Sequence, residues 1–209
     1  MELTENSVWI LPALELNLCL HMLGAGDRQV LPVAASEIPL NRRMLNSFLY
    51  LLELGLVEPE GTGFKPSAKM LSRLRPVAQP RGLLRVGEGE EFSLALYFGE
   101  DAVTLAEARG EDGQSCRLSA VPQETLRQEL ASLLKERGME SPELELLSPE
   151  GALIRKEKLP AAPEQREEVL RSVLEDAEKI GKTEQDEGAS RPAAGGDAEA
   201  NTAGGRTER

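Results

Sequence analysis

The sequence predicts an α+β protein with a winged-helix-like N-terminal part, an antiparallel β-meander packed by helices, and a disordered C-terminal tail. Two periodicities support this prediction. Apolar residues recur with helical spacing over 40–53 and over 126–134, whereas they alternate with small or polar residues from Phe92 to Phe98. The tail is predicted from composition, because residues 182–209 contain no large apolar side chain and cannot offset their ordering entropy by burial.

The winged-helix-like part is predicted over about 12–76. A first helix is expected between Pro12 and Gly24. The next helix ends at Gly55, and the Gly-rich stretch EPEGTGFKP predicts the tip of a hairpin, which we call the wing. Ser67 is expected to cap a third helix that stops at Pro76. The second helix has one apolar stripe, which we expect to face the core: Met44, Leu45, Phe48, Leu49 and Leu52.

The meander and its packing helix are predicted over about 83–138. Glycine-containing turns separate short alternating strands, which indicates an antiparallel sheet with one buried face. In the strand after Val103 the alternation weakens at Glu107, and we expect the buried part of that strand to end there. The stripe from Leu126 to Leu134 predicts a helix that packs on the apolar face of the meander and ends at Gly138.

A hairpin and a last helix are predicted over about 143–181. The hairpin turn is Ser148-Pro149-Glu150-Gly151, in which Pro and Gly stand where a type I turn favours them. The last helix has an amphipathic stripe between Val169 and Ile180. We therefore predict one domain over 1–181, followed by the disordered tail over 182–209.

No motif in the chain predicts catalysis, a cofactor or a metal site. The single histidine, His21, lies in an apolar segment without a recognisable nucleophile motif. Cys19 and Cys116 are far apart and form no CxxC pair, so two buried thiols are expected. GTGFKPS and GEGEEF lack the glycine spacing of phosphate-binding and dinucleotide-binding loops. We therefore expect a protein that is not an enzyme and binds no cofactor.

The charge pattern disfavours nucleic acid as the partner. Arg42 and Arg43 lie where a recognition helix would meet base edges. The wing, however, contains Glu58 and Glu60 against a single Lys65, and the formal net charge is −12. Binding to the phosphate backbone depends on Lys and Arg, so a protein partner is favoured. Because no apolar run is long enough to span a bilayer and the first ten residues do not form a signal peptide, we expect a cytoplasmic protein.

The order of the elements resembles the EspG-type chaperones of type VII (ESX) secretion systems and their toxin-chaperone counterparts in Gram-positive bacteria. The similar stretches are 9–14, 49–57 with its "LGLV" ending, Arg75-Pro76, the meander over 91–121, and 121–134. The resemblance implies a non-catalytic cytosolic chaperone or adaptor that binds a secreted helical protein or toxin and keeps it soluble before export. The alternative is a winged-helix transcriptional regulator or a protein-interaction adaptor.

The predicted partner surface combines the meander with the last helix. Ser93, Ala95 and Tyr97 lie on the side of the strand opposite the apolar residues, so small side chains surround one aromatic anchor. Val173 and Leu174 of the last helix complete the predicted surface. In the alternative interpretation, the last helix covers the Tyr97 face as internal core.

Overall fold

The computed structural model describes residues 8–25, 39–88, 91–100, 102–109 and 114–188. Within these ranges the fold is α+β, with one seven-stranded antiparallel sheet, a separate two-stranded hairpin and helices on both sides of the sheet. The helices are α1 (Ala13–Met22), α2 (Leu40–Glu53), α3 (Ala68–Ala78), α4 (Leu126–Glu136) and α5 (Pro163–Gly188). The strands are β1 (Trp9–Pro12), β2 (Val57–Glu60), β3 (Gly63–Pro66), β4 (Gly82–Glu88), β5 (Glu91–Phe98), β6 (Val103–Arg109), β7 (Ser115–Val121), β8 (Glu143–Leu147) and β9 (Leu153–Lys158).

The predicted meander forms the centre of the large sheet, whose strand order is β1-β7-β6-β5-β4-β8-β9. The predicted β8–β9 hairpin extends it, because β8 pairs with β4. At the other edge, β1 pairs with β7 and places Trp9 opposite Leu118. The N-terminus, the meander and the C-terminal hairpin therefore share one sheet, which the sequence did not predict.

Two apolar clusters lie on opposite faces of this sheet. On one face, Leu94 and Leu96 pack with Leu130 of α4 and with Val173 of α5. This confirms the predicted packing of the 126–134 helix. On the other face, α1, α2 and α3 share a cluster with Trp9 and with residues of β5, β6 and β7. The winged-helix assignment is not confirmed: α2 and the β2–β3 hairpin form where predicted, but the N-terminal helices pack on the large sheet instead of forming a core of their own.

The buried part of β6 ends at Glu107, as predicted, because Ala108 is half-buried and Arg109 is exposed, but Glu107 itself lies inside the core. Its side chain is fully buried, and three arginines surround its carboxylate. Arg109 Nε lies 3.0 Å from Oε1, Arg117 Nη1 lies 3.3 Å from Oε2, and Arg137 at the end of α4 also contacts Oε1. Paired charges of this kind allow a carboxylate to remain inside a core.

Two predicted helix ends are wrong. The third helix continues past Pro76 to Ala78, because a proline in the last turn removes only one hydrogen bond of the ladder. Ser67 does cap this helix, with its Oγ accepting from Met70 N at 3.2 Å. The last helix is longer than predicted, since α5 continues beyond Lys182 to Gly188 through residues of mostly good helix propensity. The rest of the predicted tail, 189–209, lies outside the described residues.

No helix in the described ranges combines the length and the apolar character needed to cross a membrane.

Candidate partner-binding surface

Helix α2 buries few of its residues against the body of the protein. It starts after Pro39 and ends before Gly55, whose φ of 66° requires the left-handed conformation that glycine adopts most easily. Only Ser47 and Leu51 of α2 are buried. Ser47 Oγ donates a hydrogen bond to Glu15 Oε1 of α1 at 2.7 Å, and Leu51 is completely buried in the N-terminal cluster. Because these two residues are four apart, they form a single line that faces α1.

The apolar stripe of α2 extends far beyond that line and reaches solvent. Leu45 is 59% exposed, Leu49 50% and Met44 41%. Phe48 and Leu52 are partly buried against the core. The prediction that all five side chains face the core is therefore wrong for the three exposed ones. With Phe64 of the wing, these residues form the α2–wing surface: Met44, Leu45, Phe48, Leu49, Leu52 and Phe64.

The wing adds an aromatic edge to this surface. The rings of Phe48 and Phe64 meet edge to face, with centroids 4.7 Å apart and an interplanar angle of 77°. Phe64 is nevertheless 49% exposed. On the other side of the hairpin, Lys65 Nζ lies 3.1 Å from Glu60 Oε1, an exposed pair that contributes at most about 1 kcal/mol. The wing therefore presents its apolar side towards α2 and its charges away from it.

Two opposite charges border the surface on the side away from the wing. Arg42 lies in the first turn of α2 and Glu53 is its last residue, and both are exposed. At about 100° per residue, the two side chains project roughly 20° and 40° around the helix from Leu49. The border of the surface is thus positive at one end of α2 and negative at the other.

The site residues predicted from sequence lie elsewhere, and the structure does not bring them together. Tyr97 is 8% exposed and belongs to the cluster beneath the N-terminal helices, on the face where Ser93 and Ala95 are half-buried. Val173 and Leu174 are buried on the opposite face of the sheet. These five residues therefore form no common exposed surface in the chain.

The alternative interpretation of the Tyr97 face was correct about burial and wrong about the covering helix. Helix α3 covers this face, and Thr104 Oγ1 of β6 donates to Arg73 O of α3 at 2.8 Å. The Arg73 guanidinium lies 5.1 Å from the centroid of the Trp9 ring, and burial lowers its pKa. Because α5 packs on the other face, it cannot cover Tyr97.

The groups capable of catalysis or metal binding are dispersed or inert. Burial raises the pKa of Cys19 and of Cys116 to about 12, so both remain protonated thiols. His21 is exposed in the last turn of α1. Across the described part of the chain, no group of three or more His, Cys, Asp or Glu side chains is arranged to hold a metal ion.

No protein-family model matches the chain, and the search of curated proteins finds no match.

Proposed function

We propose that this protein is a non-catalytic chaperone or adaptor that binds a helical protein, of the kind exported by type VII secretion systems, and keeps it soluble before export. The observation that carries the proposal is the α2–wing surface, where Leu45, Leu49 and Phe64 are each about half exposed. A soluble protein rarely exposes a contiguous apolar area of this kind unless another molecule covers it.

The shape of the surface favours a helix as the bound element. Met44, Phe48 and Leu52 follow one line along α2 at four-residue spacing, and Leu45 and Leu49 follow a second line beside it. Two such ridges leave a groove into which the apolar stripe of another helix packs. The edge-to-face pair of Phe48 and Phe64 closes one side of this groove.

The same surface argues against α2 as a DNA recognition helix. A helix in the major groove presents polar and basic side chains to the bases and phosphates. Here the side of α2 that faces solvent presents Leu45 and Leu49, and the adjacent wing carries exposed Glu58 and Glu60. Arg42 and Arg43 at the start of α2, with the exposed Asn46 and Tyr50 one and two turns on, favour the regulator as a second candidate.

Co-expression distinguishes these two functions. The chain is expressed together with a helical secreted protein encoded near its own gene, and the soluble yield of that protein is compared with its yield alone. The proposal predicts a higher soluble yield and a complex that persists through size-exclusion chromatography. An unchanged yield for every such candidate would contradict it. A salt-sensitive, sequence-dependent gel shift that disappears in the double variant Arg42→Ala, Arg43→Ala would support the regulator instead.

A further inference from the structure

We infer that in the free protein a second copy of this chain covers the α2–wing surface, through antiparallel packing of the two α2 helices about a twofold axis. The first observation behind this inference is the exposure of Leu45 and Leu49 on a helix whose only buried residues are Ser47 and Leu51. A twofold contact places the same surface on both sides, so each apolar ridge meets an apolar partner.

The second observation is the charge pattern on the border of the surface. Arg42 and Glu53 border the same side of the apolar surface and lie at opposite ends of α2. The twofold axis passes near Phe48, perpendicular to both helices and in the plane of the contact. The two helices then run antiparallel, and their charged borders lie on the same side of the contact. Arg42 then lies within about 2 Å, measured along the helix, of the level of Glu53 in the second copy, because each residue rises about 1.5 Å.

The resulting arrangement satisfies charge and packing together. Two Arg42–Glu53 pairs form at the ends of the contact, and Met44 lies level with Leu52 of the second copy. A parallel arrangement would instead place the two charged borders on opposite sides of the contact, so that neither Arg42 nor Glu53 would meet an opposite charge. The same chain thus supplies both halves of a complementary contact.

The small area of the contact indicates a dimer of modest affinity. Helix α2 has 14 residues and is therefore about 21 Å long. A single helix pair with two wings falls at the lower end of specific interfaces, which begin near about 1,200 Å² in total. We therefore expect a reversible dimer with a dissociation constant on the order of micromolar to tens of micromolar.

The test uses the full chain alone, so its result does not depend on a substrate. Sedimentation velocity is measured from about 1 to about 200 μM protein at low salt. The expected mass rises with concentration from that of one 22.7-kDa chain towards that of two. Arg42→Glu alone and Glu53→Arg alone should each weaken the dimer by about tenfold or more, and the double reversal should return it to within about threefold of the wild type.

Apolar substitutions provide the matched comparison. Leu45→Glu with Leu49→Glu should abolish the dimer, whereas Leu153→Glu with Ile154→Glu on β9, where exposure is similar, should leave it unchanged. Circular dichroism checks that each variant is folded, and if the Leu45/Leu49 variant does not fold, the charge series alone decides.

Three results would overturn the inference. The first is a single-chain mass at every concentration. The second is a dimer that a folded Leu45/Leu49 variant does not weaken. The third is a double charge reversal that fails to recover association. Under the proposed function a substrate helix would displace the second copy, but a failed dimer test would leave substrate binding to be measured separately.

Discussion

Leu51→Ala tests which side of α2 faces the core. Leu51 is completely buried, and it is the main apolar anchor of α2. Truncating a buried leucine to alanine costs about 2–5 kcal/mol, since the transfer free energy is lost and a cavity remains. In a chain of this size, 1 kcal/mol corresponds to roughly 2–4 °C in the thermal midpoint. A loss of about 3 kcal/mol therefore lowers the midpoint by roughly 6–12 °C.

Leu45→Ala is the matched control in the same helix. Leu45 is 59% exposed, so its truncation should change the free energy of unfolding by no more than about 0.5 kcal/mol. Both variants and the wild type are melted at low micromolar concentration, with circular dichroism at 222 nm as an approximate helix signal. Equal destabilisation by the two substitutions, or none by Leu51→Ala, would refute the orientation of α2 on which the candidate site depends.

Three further predictions concern the core and its charges. Glu107→Gln removes the buried negative charge that three arginines share. Because those arginines are 26–49% exposed and stay hydrated without it, the change should cost about 1–3 kcal/mol in a urea titration, and an unchanged midpoint would contradict this. The two buried cysteines should react with a thiol reagent at pH 8 only after unfolding, because burial raises the pKa of each to about 12, and rapid labelling of the folded protein would show otherwise. Hydrogen bonds from Lys179 and Arg155 lower the pKa of Asp176, so its contribution to stability is present above the ordinary aspartate range and is lost as the pH falls through the lowered pKa. Asp176→Asn should therefore be less stable than the wild type at neutral pH and equally stable in strong acid, whereas a gap independent of pH would contradict this assignment.

Local patterns were sufficient to predict most elements of secondary structure. The alternation around Phe92–Phe98, the Ser67 cap and the Ser148–Gly151 turn each depend on neighbours a few residues away, and each element forms where predicted. The pairing of β8 with β4 and of β1 with β7 depends on residues distant in the chain, and no local pattern indicated it.

The candidate site could not be predicted, because the apolar periodicity of α2 does not show which of its apolar residues face solvent. Leu51 and Leu45 are both apolar residues of α2, yet one is buried and the other is more than half exposed. The difference depends on where α1 lies. Tyr97 shows the converse: its semi-polar neighbours indicated an exposed face, but α3 packs there. Glu107 is buried where three arginines meet its carboxylate, and two of them, Arg117 and Arg137, lie on other elements, an arrangement that only the folded chain reveals.

Binding of a helical protein to the α2–wing surface is measured by titrating one helical secreted protein against three forms of the chain. The forms are the wild type, the double variant Leu45→Glu, Leu49→Glu, and the control Leu153→Glu, Ile154→Glu. The two pairs of side chains are similarly exposed, at 59% and 50% for Leu45 and Leu49 against 56% and 49% for Leu153 and Ile154. A difference in affinity between the two variants therefore reflects where the substitutions lie and not the kind of substitution. This role of the surface predicts a loss of affinity of about 100-fold or more for the α2 variant, since two apolar contacts are each worth roughly 1.5 kcal/mol, and a change within about threefold for the control. Equal affinities for all three forms, or a loss confined to the β9 control, would contradict it.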